Sequence, residues 1–199
     1  MFKLDWKEIH IFDIDGCIFP AKNGKGIHIM PTEFQSKTSR EEIKNRMDKV
    51  ELFPSFINFY KFVVNNIKHI KFYYITGRNK KNFQIITIEQ LSILNTKNNR
   101  DTLIFFPDNI ILTGKSYYKF KICHIIKIIL ENNGNSKINI YDDRFEYFDI
   151  LKERLKDMKI NNVDYHKVIT PEYFWNIRYE EYNNLINIKQ NSIKSDKND

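Results

Sequence analysis

Hydrophobic positions along the chain fall into two kinds of pattern. Short continuous runs at residues 9–12 (IHIF), 72–75 (FYYI) and 138–141 (INIY) have the length and composition of strands buried on both faces. A weaker strand is predicted near residues 164–169, and residues 110–112 read as a further short extended piece. Other apolar residues recur at helical spacing. After Pro54, which opens a helix running to about Asn66, these are Phe56, Phe59, Tyr60 and Val63. Within residues 117–130 they are Phe120, Ile122, Ile125, Ile126 and Ile129, closed by Gly134. Residues 38–49 read as a polar helix, with Ser39 three residues before Glu42 in a capping-box spacing. Helices are also predicted over about 80–94, about 145–158 and 171–188.

Strands alternating with helices make the economical architecture an α/β fold, a Rossmann-like parallel sheet with helices on both faces. In such sheets ligands gather beyond the carboxyl ends of the strands. The organisation expected is a single domain over residues 1–188. A small flap and helical insertion at about 19–52 carries a hairpin-like turn at Asn23-Gly24, and residues 189–199 (KQNSIKSDKND) form a disordered tail.

Composition narrows the function classes. No apolar run is long enough to cross a bilayer and the N-terminal residues are partly acidic, so a soluble, intracellular, cytoplasmic protein is expected. Cys17 and Cys123 fit neither a disulfide framework nor a zinc spacing, and the five histidines have no metal-ligand spacing. A net charge of +7 favours polyanionic partners, although a bias toward Lys, Asn and Ile produces the same excess without selection for binding.

The candidate chemistry lies at the ends of the three strong strands: Asp13 and Asp15, then Thr76 and Arg78, then Asp142 and Asp143. Here the sequence resembles the haloacid dehalogenase (HAD) superfamily. The family's first motif, a strand followed by Asp-x-Asp-Gly, is matched by IHIFDIDGC; its second, a strand ending in Thr or Ser, by FYYITGR; its fourth, a strand ending in paired acids, by INIYDD. The third motif is a lysine on a helix, matched by Lys121, with Lys115 and Lys119 as competitors. Cys17 stands where the family usually has threonine. The TGR and Asp142-Asp143-Arg144 patterns, with Phe120-Lys121, resemble the Swiss Army knife RNA-repair-like subgroup and the phosphatase domain of polynucleotide kinase.

The resemblance implies a HAD-type phosphatase using Mg2+. Asp13 would be the nucleophile and Asp15 the general acid and base. Thr76 and Lys121 would stabilise charge on the transferring phosphoryl group. Gly16, Gly77, Arg78 and Arg144 would line the substrate site, the arginines binding phosphate or gripping a carboxylate by their fork geometry. The ion would take Asp13, the backbone carbonyl of Asp15, and one or both of Asp142 and Asp143. The short inserts between motifs imply a lightly capped site that admits a phosphate at the end of a large molecule. An RNA or DNA end, a 3′-phosphate among them, is therefore the leading substrate class. The alternatives are a 5′-nucleotidase or small-molecule phosphatase, and a non-catalytic nucleic-acid-binding protein on the same fold.

Overall fold

In the computed structural model the described residues are 4–22, 40–47, 50–94, 101–132 and 136–195. They form strands β1 (Leu4–Phe12), β2 (Ile67–Asn79), β3 (Asp101–Phe106), β4 (Lys137–Asp142) and β5 (Val163–Lys167). The helices are α1 (Arg40–Met47), α2 (Pro54–Asn66), α3 (Lys80–Leu91), α4 (Gly114–Glu131), α5 (Phe148–Asp157) and α6 (Pro171–Ser195). The expected turn at Asn23-Gly24, the Ser39 cap and Gly134 lie outside the described residues.

All five strands pair in parallel, in the order β3-β2-β1-β4-β5. The chain moves outward from β1 through β2 to β3, then returns across the sheet to β4 and β5. That reversal at β1 is a topological switch point, where the strand ends splay and a ligand crevice opens. Register places Phe12 of β1 beside Tyr74 of β2 and Tyr141 of β4. The residues just beyond Phe12, Tyr74 and Tyr141 therefore emerge at one rim.

Strand alternation sends successive side chains to opposite faces. Ile9 and Ile11 of β1 pack with Ile138 and Ile140 of β4 against α4 and α5, through Phe120, Ile125, Ile129, Leu151 and Leu155. Phe12, Phe72, Tyr74 and Tyr141 pack on the other face with α2, α3 and α6, among Phe56, Phe59, Phe83, Trp175 and Tyr182. Each of these fully buried large side chains contributes about 1.5–3 kcal/mol relative to exposure. Within the second face Glu8, His10, Tyr141 and Tyr182 satisfy one another, while the buried Tyr74 hydroxyl has no hydrogen-bond partner among the described residues. Glu8 accepts hydrogen bonds from Tyr182 (2.8 Å) and the His10 ring (3.0 Å), whose other nitrogen meets the Tyr141 hydroxyl at 3.2 Å.

Two sequence expectations need correction. The extended piece near Ile110 to Leu112 is not a strand; the edge strand is β3, at Asp101–Phe106. Ile110 and Ile111 are exposed, so their apolar character does not mark burial. The helix expected to end at Ile188 continues as α6 to Ser195, through most of the supposed tail. Among the described residues Ile186 is its last buried apolar one; beyond it the helix propagates on local hydrogen bonds, which cost little once a helix is nucleated.

Candidate active site

Asp13 follows β1 directly, and its backbone N–H donates to the Tyr141 carbonyl of β4 at 2.9 Å. The chain then makes a tight turn in which the Ile14 carbonyl accepts the N–H groups of Ile18 (3.1 Å) and Phe19 (3.0 Å). The turn requires a left-handed residue, supplied by Gly16 at φ +91°. A Cβ there would stand 2.3 Å from Asp143 Oδ2 and 2.7 Å from its Cγ. The glycine thus makes room for the second acid of β4's end.

The α4 helix brings in the lysine. Thr113 caps it, its side chain accepting the Ser116 N–H at 3.1 Å while Ser116 Oγ accepts the Thr113 N–H at 2.8 Å. Tyr117 and Lys121, four residues apart, share the face turned to the sheet. The Lys121 ammonium lies 3.1 Å from Asp13 Oδ1 and also donates to Asp142 Oδ2. Lys115 and Lys119 are exposed on the other side of the helix. Asp142 is held further by the Tyr147 hydroxyl on Oδ2 (2.8 Å) and the Arg144 backbone N–H on Oδ1 (2.9 Å).

Asp13, Asp142 and Asp143 each offer an oxygen, and these atoms lie within 4.8 Å of one another. Three carboxylates facing one ammonium leave excess negative charge in a buried place. Burial, reinforced for Asp143 by Asp13 and Asp142, pushes the Asp142 and Asp143 carboxyls well above the usual range. Burial works against the Lys121 ammonium too, yet Asp13 and Asp142 outweigh it and raise its pKa. Asp143 Oδ1 is buried without a hydrogen-bond partner among the described residues. An all-oxygen donor set, an orphaned oxygen and unbalanced negative charge fit a hard divalent cation such as Mg2+.

No family model matches the sequence, and no curated protein matches it either. One solved structure does: the HAD domain of the effector protein Lem4 from Legionella pneumophila, determined as an inactive mutant. It aligns over 88% of this chain and 92% of that one, with a TM-score of 0.53 at 22% identity. The fold is HAD-like. At that identity the likeness is one of architecture, and the chemistry rests on this chain's own residues.

Within the HAD-like frame, the remaining residues expected at the site separate into two groups. Asp15 lies outside the group of three carboxylates that could share an ion. Both of its oxygens are gripped by Arg78, whose Nε donates to Oδ2 at 2.9 Å and whose second terminal nitrogen donates to Oδ1 at 2.6 Å. Arg78 also donates to Thr87 Oγ1 (2.9 Å) and Gln90 Oε1 (2.8 Å) of α3, and it is fully buried. Its fork is thus spent on a carboxylate, the second of the two roles expected for it, and not on the substrate site. Thr76 is buried at the end of β2, where its hydroxyl oxygen accepts the Arg78 N–H at 3.1 Å. Gly77 lies against the Tyr117 ring, 3.5 Å from where a Cβ would sit. Arg144 is half-buried beside Asp142, with its guanidinium in none of the site's hydrogen bonds.

Three functional neighbours escape sequence reasoning. Tyr117 donates to Asp13 Oδ1 at 2.7 Å, Tyr147 holds Asp142, and the Trp175 indole N–H donates to the Cys17 carbonyl at 2.8 Å. The one available signal is that Tyr117 precedes Lys121 by a helical turn. Cys17 is buried, and burial plus the nearby Asp13 and Asp142 push its thiol pKa well up. It is a space-filling thiol and not a reactive one. Among the described residues no helix is long and apolar enough to cross a membrane.

Proposed function

We propose that this chain is a divalent-metal-dependent phosphomonoesterase that works through an aspartyl-phosphate on Asp13. The observation that carries the reading is the meeting of Asp13, Lys121, Asp142 and Asp143 at one rim, with an orphaned carboxylate oxygen among them. Asp13, Asp142 and Asp143 would hold the ion, joined by the Asp15 backbone carbonyl as the family resemblance implies. When bound, the ion would neutralise the phosphate and polarise it.

The chain's own residues account for the rest. An Asp13 oxygen attacks phosphorus as the ester P–O bond breaks, and Asp15 gives its proton to the leaving oxygen. Water then attacks the aspartyl-phosphate, the bond from phosphorus to the Asp13 oxygen breaks, and Asp15 takes the proton from the water. Lys121 and Thr76 serve as donors to the phosphoryl oxygens. Arg78 keeps Asp15 in one orientation through both displacements.

For substrate class we favour phosphate ends of nucleic acids or nucleotides, the 3′-phosphate of a strand first. The net charge of +7 and the TGR and Asp-Asp-Arg resemblance, with Arg144 directly after the paired acids, support this. The test is phosphate release from 3′- and 5′-phosphorylated DNA and RNA, nucleotides, sugar phosphates and phosphopeptides, with and without Mg2+. Release should require Mg2+, vanish in chelator and vanish in Asp13→Asn. Equal release by Asp13→Asn removes the nucleophile, and preference for sugar phosphates or peptides removes the substrate class.

A further inference from the structure

The Tyr117 hydroxyl donates to the proposed nucleophile at 2.7 Å from Asp13 Oδ1, closer than the Lys121 ammonium at 3.1 Å. Its ring is tightly placed, buried between the Gly77 backbone on one side and the Phe106 and Phe120 rings on the other. Lys121 shares the same acceptor oxygen at 3.1 Å and lies 4.4 Å from the centroid of the tyrosine ring.

A carboxylate oxygen has two lone pairs. One of those on Asp13 Oδ1 goes to Tyr117 and the other to Lys121 in this structure. The lysine contact is exchangeable, because an ammonium on a four-carbon stem follows whichever anion is nearest and phosphate offers more charge. The tyrosine contact is not, since a packed ring with two torsions has nowhere to go. Resting on the phosphatase reading above, we infer that Tyr117 is a positioning residue: it locks the Asp13 carboxylate through Oδ1 so that Oδ2 faces phosphorus when Lys121 is drawn to the substrate. Tyr147 makes the parallel contact to Asp142 at 2.8 Å. Because Asp142 is not the nucleophile, its loss affects the acid cluster and not the line of attack.

The test is Tyr117→Phe, which deletes one oxygen and keeps the ring, with Tyr147→Phe as the matched deletion of a hydroxyl on the neighbouring acid. p-Nitrophenyl phosphate is the probe. Its leaving group departs without needing a proton, so single-turnover release of nitrophenol reports the Asp13 attack independently of Asp15. In Tyr117→Phe that rate should fall roughly 10–100-fold, the cost of a misaligned reacting group, while KM changes less than about twofold. In Tyr147→Phe the Mg2+ concentration that gives half-maximal rate should rise instead, because its hydroxyl holds Asp142. A purely structural role would lower the melting temperature of both variants alike and slow both. A Tyr117→Phe rate within twofold of wild type, or equal losses in the two variants, overturns the assignment and leaves the phosphatase reading standing. A wild type with no Asp13-dependent release removes both.

Discussion

Replacing Gly16 with alanine probes the contact between the first and fourth motifs. The added Cβ stands at φ +91°, a region L-residues avoid, and meets the Asp143 carboxylate at 2.3 and 2.7 Å. The backbone contribution is about 1–3 kcal/mol. Driving Asp143 off its rotamer adds about 0.5–1.5 kcal/mol, so a total near 2–4 kcal/mol is expected. For a chain of this length that lowers the melting temperature by about 5–15 °C. The assay is thermal and urea unfolding of Gly16→Ala, Asp143→Ala and the double variant. Deleting the carboxylate removes the collision and leaves the backbone strain, so alanine at position 16 should cost about 1 kcal/mol less in the Asp143→Ala background. An unchanged cost in both backgrounds would show that the turn and Asp143 are independent, and the explanation of this glycine would be wrong.

Arg78→Lys keeps the charge but cannot span Asp15, Thr87 and Gln90; with those acceptors left short, about 2–3 kcal/mol of stability should be lost. Turnover should fall with it, and wild-type values in urea unfolding and phosphate release would contradict the grip on Asp15. Burial, and for Asp143 its acid neighbours, raise Asp142 to about 6 and Asp143 to about 8. The folded state therefore holds protons that the unfolded chain has released, and this stability, present at low pH, is lost as pH climbs toward 8. In chelator the melting temperature should drop between about pH 5 and 8, Mg2+ should restore it by binding the ionised acids, and Asp143→Asn should remove most of the drop. A melting temperature that rises over that interval in chelator would refute the assignment.

Much of the frame is legible in the sequence for physical reasons. The later parts of β1, β2 and β4 are largely buried, so each carries a short, mostly apolar run, and the acids at two of their ends stand out against it. β3 is less visible because an edge strand is only partly covered: most of Asp101–Phe106 is half-exposed. Lys121 is distinguishable from Lys115 and Lys119 once the helix period is fixed by Phe120 and Ile125, which share the inward side. The roles of Arg78, Tyr117 and Tyr147 are not legible. Each depends on which oxygen lies within reach after β1, β2, β4 and α4 have packed, and a guanidinium or phenol reads the same in sequence whether it meets substrate or a neighbouring acid.

The indole of Trp175 reaches back to the carbonyl of Cys17, tying the beginning of α6 to the loop that follows Asp13. During synthesis the N-terminal strand leaves the ribosome long before that anchor exists. The acid-bearing loop must wait for more than a hundred further residues before its last hydrogen bond can form. Emergence of α6 thus completes the wall behind the candidate site, and a chain interrupted before it carries the signature residues without that support.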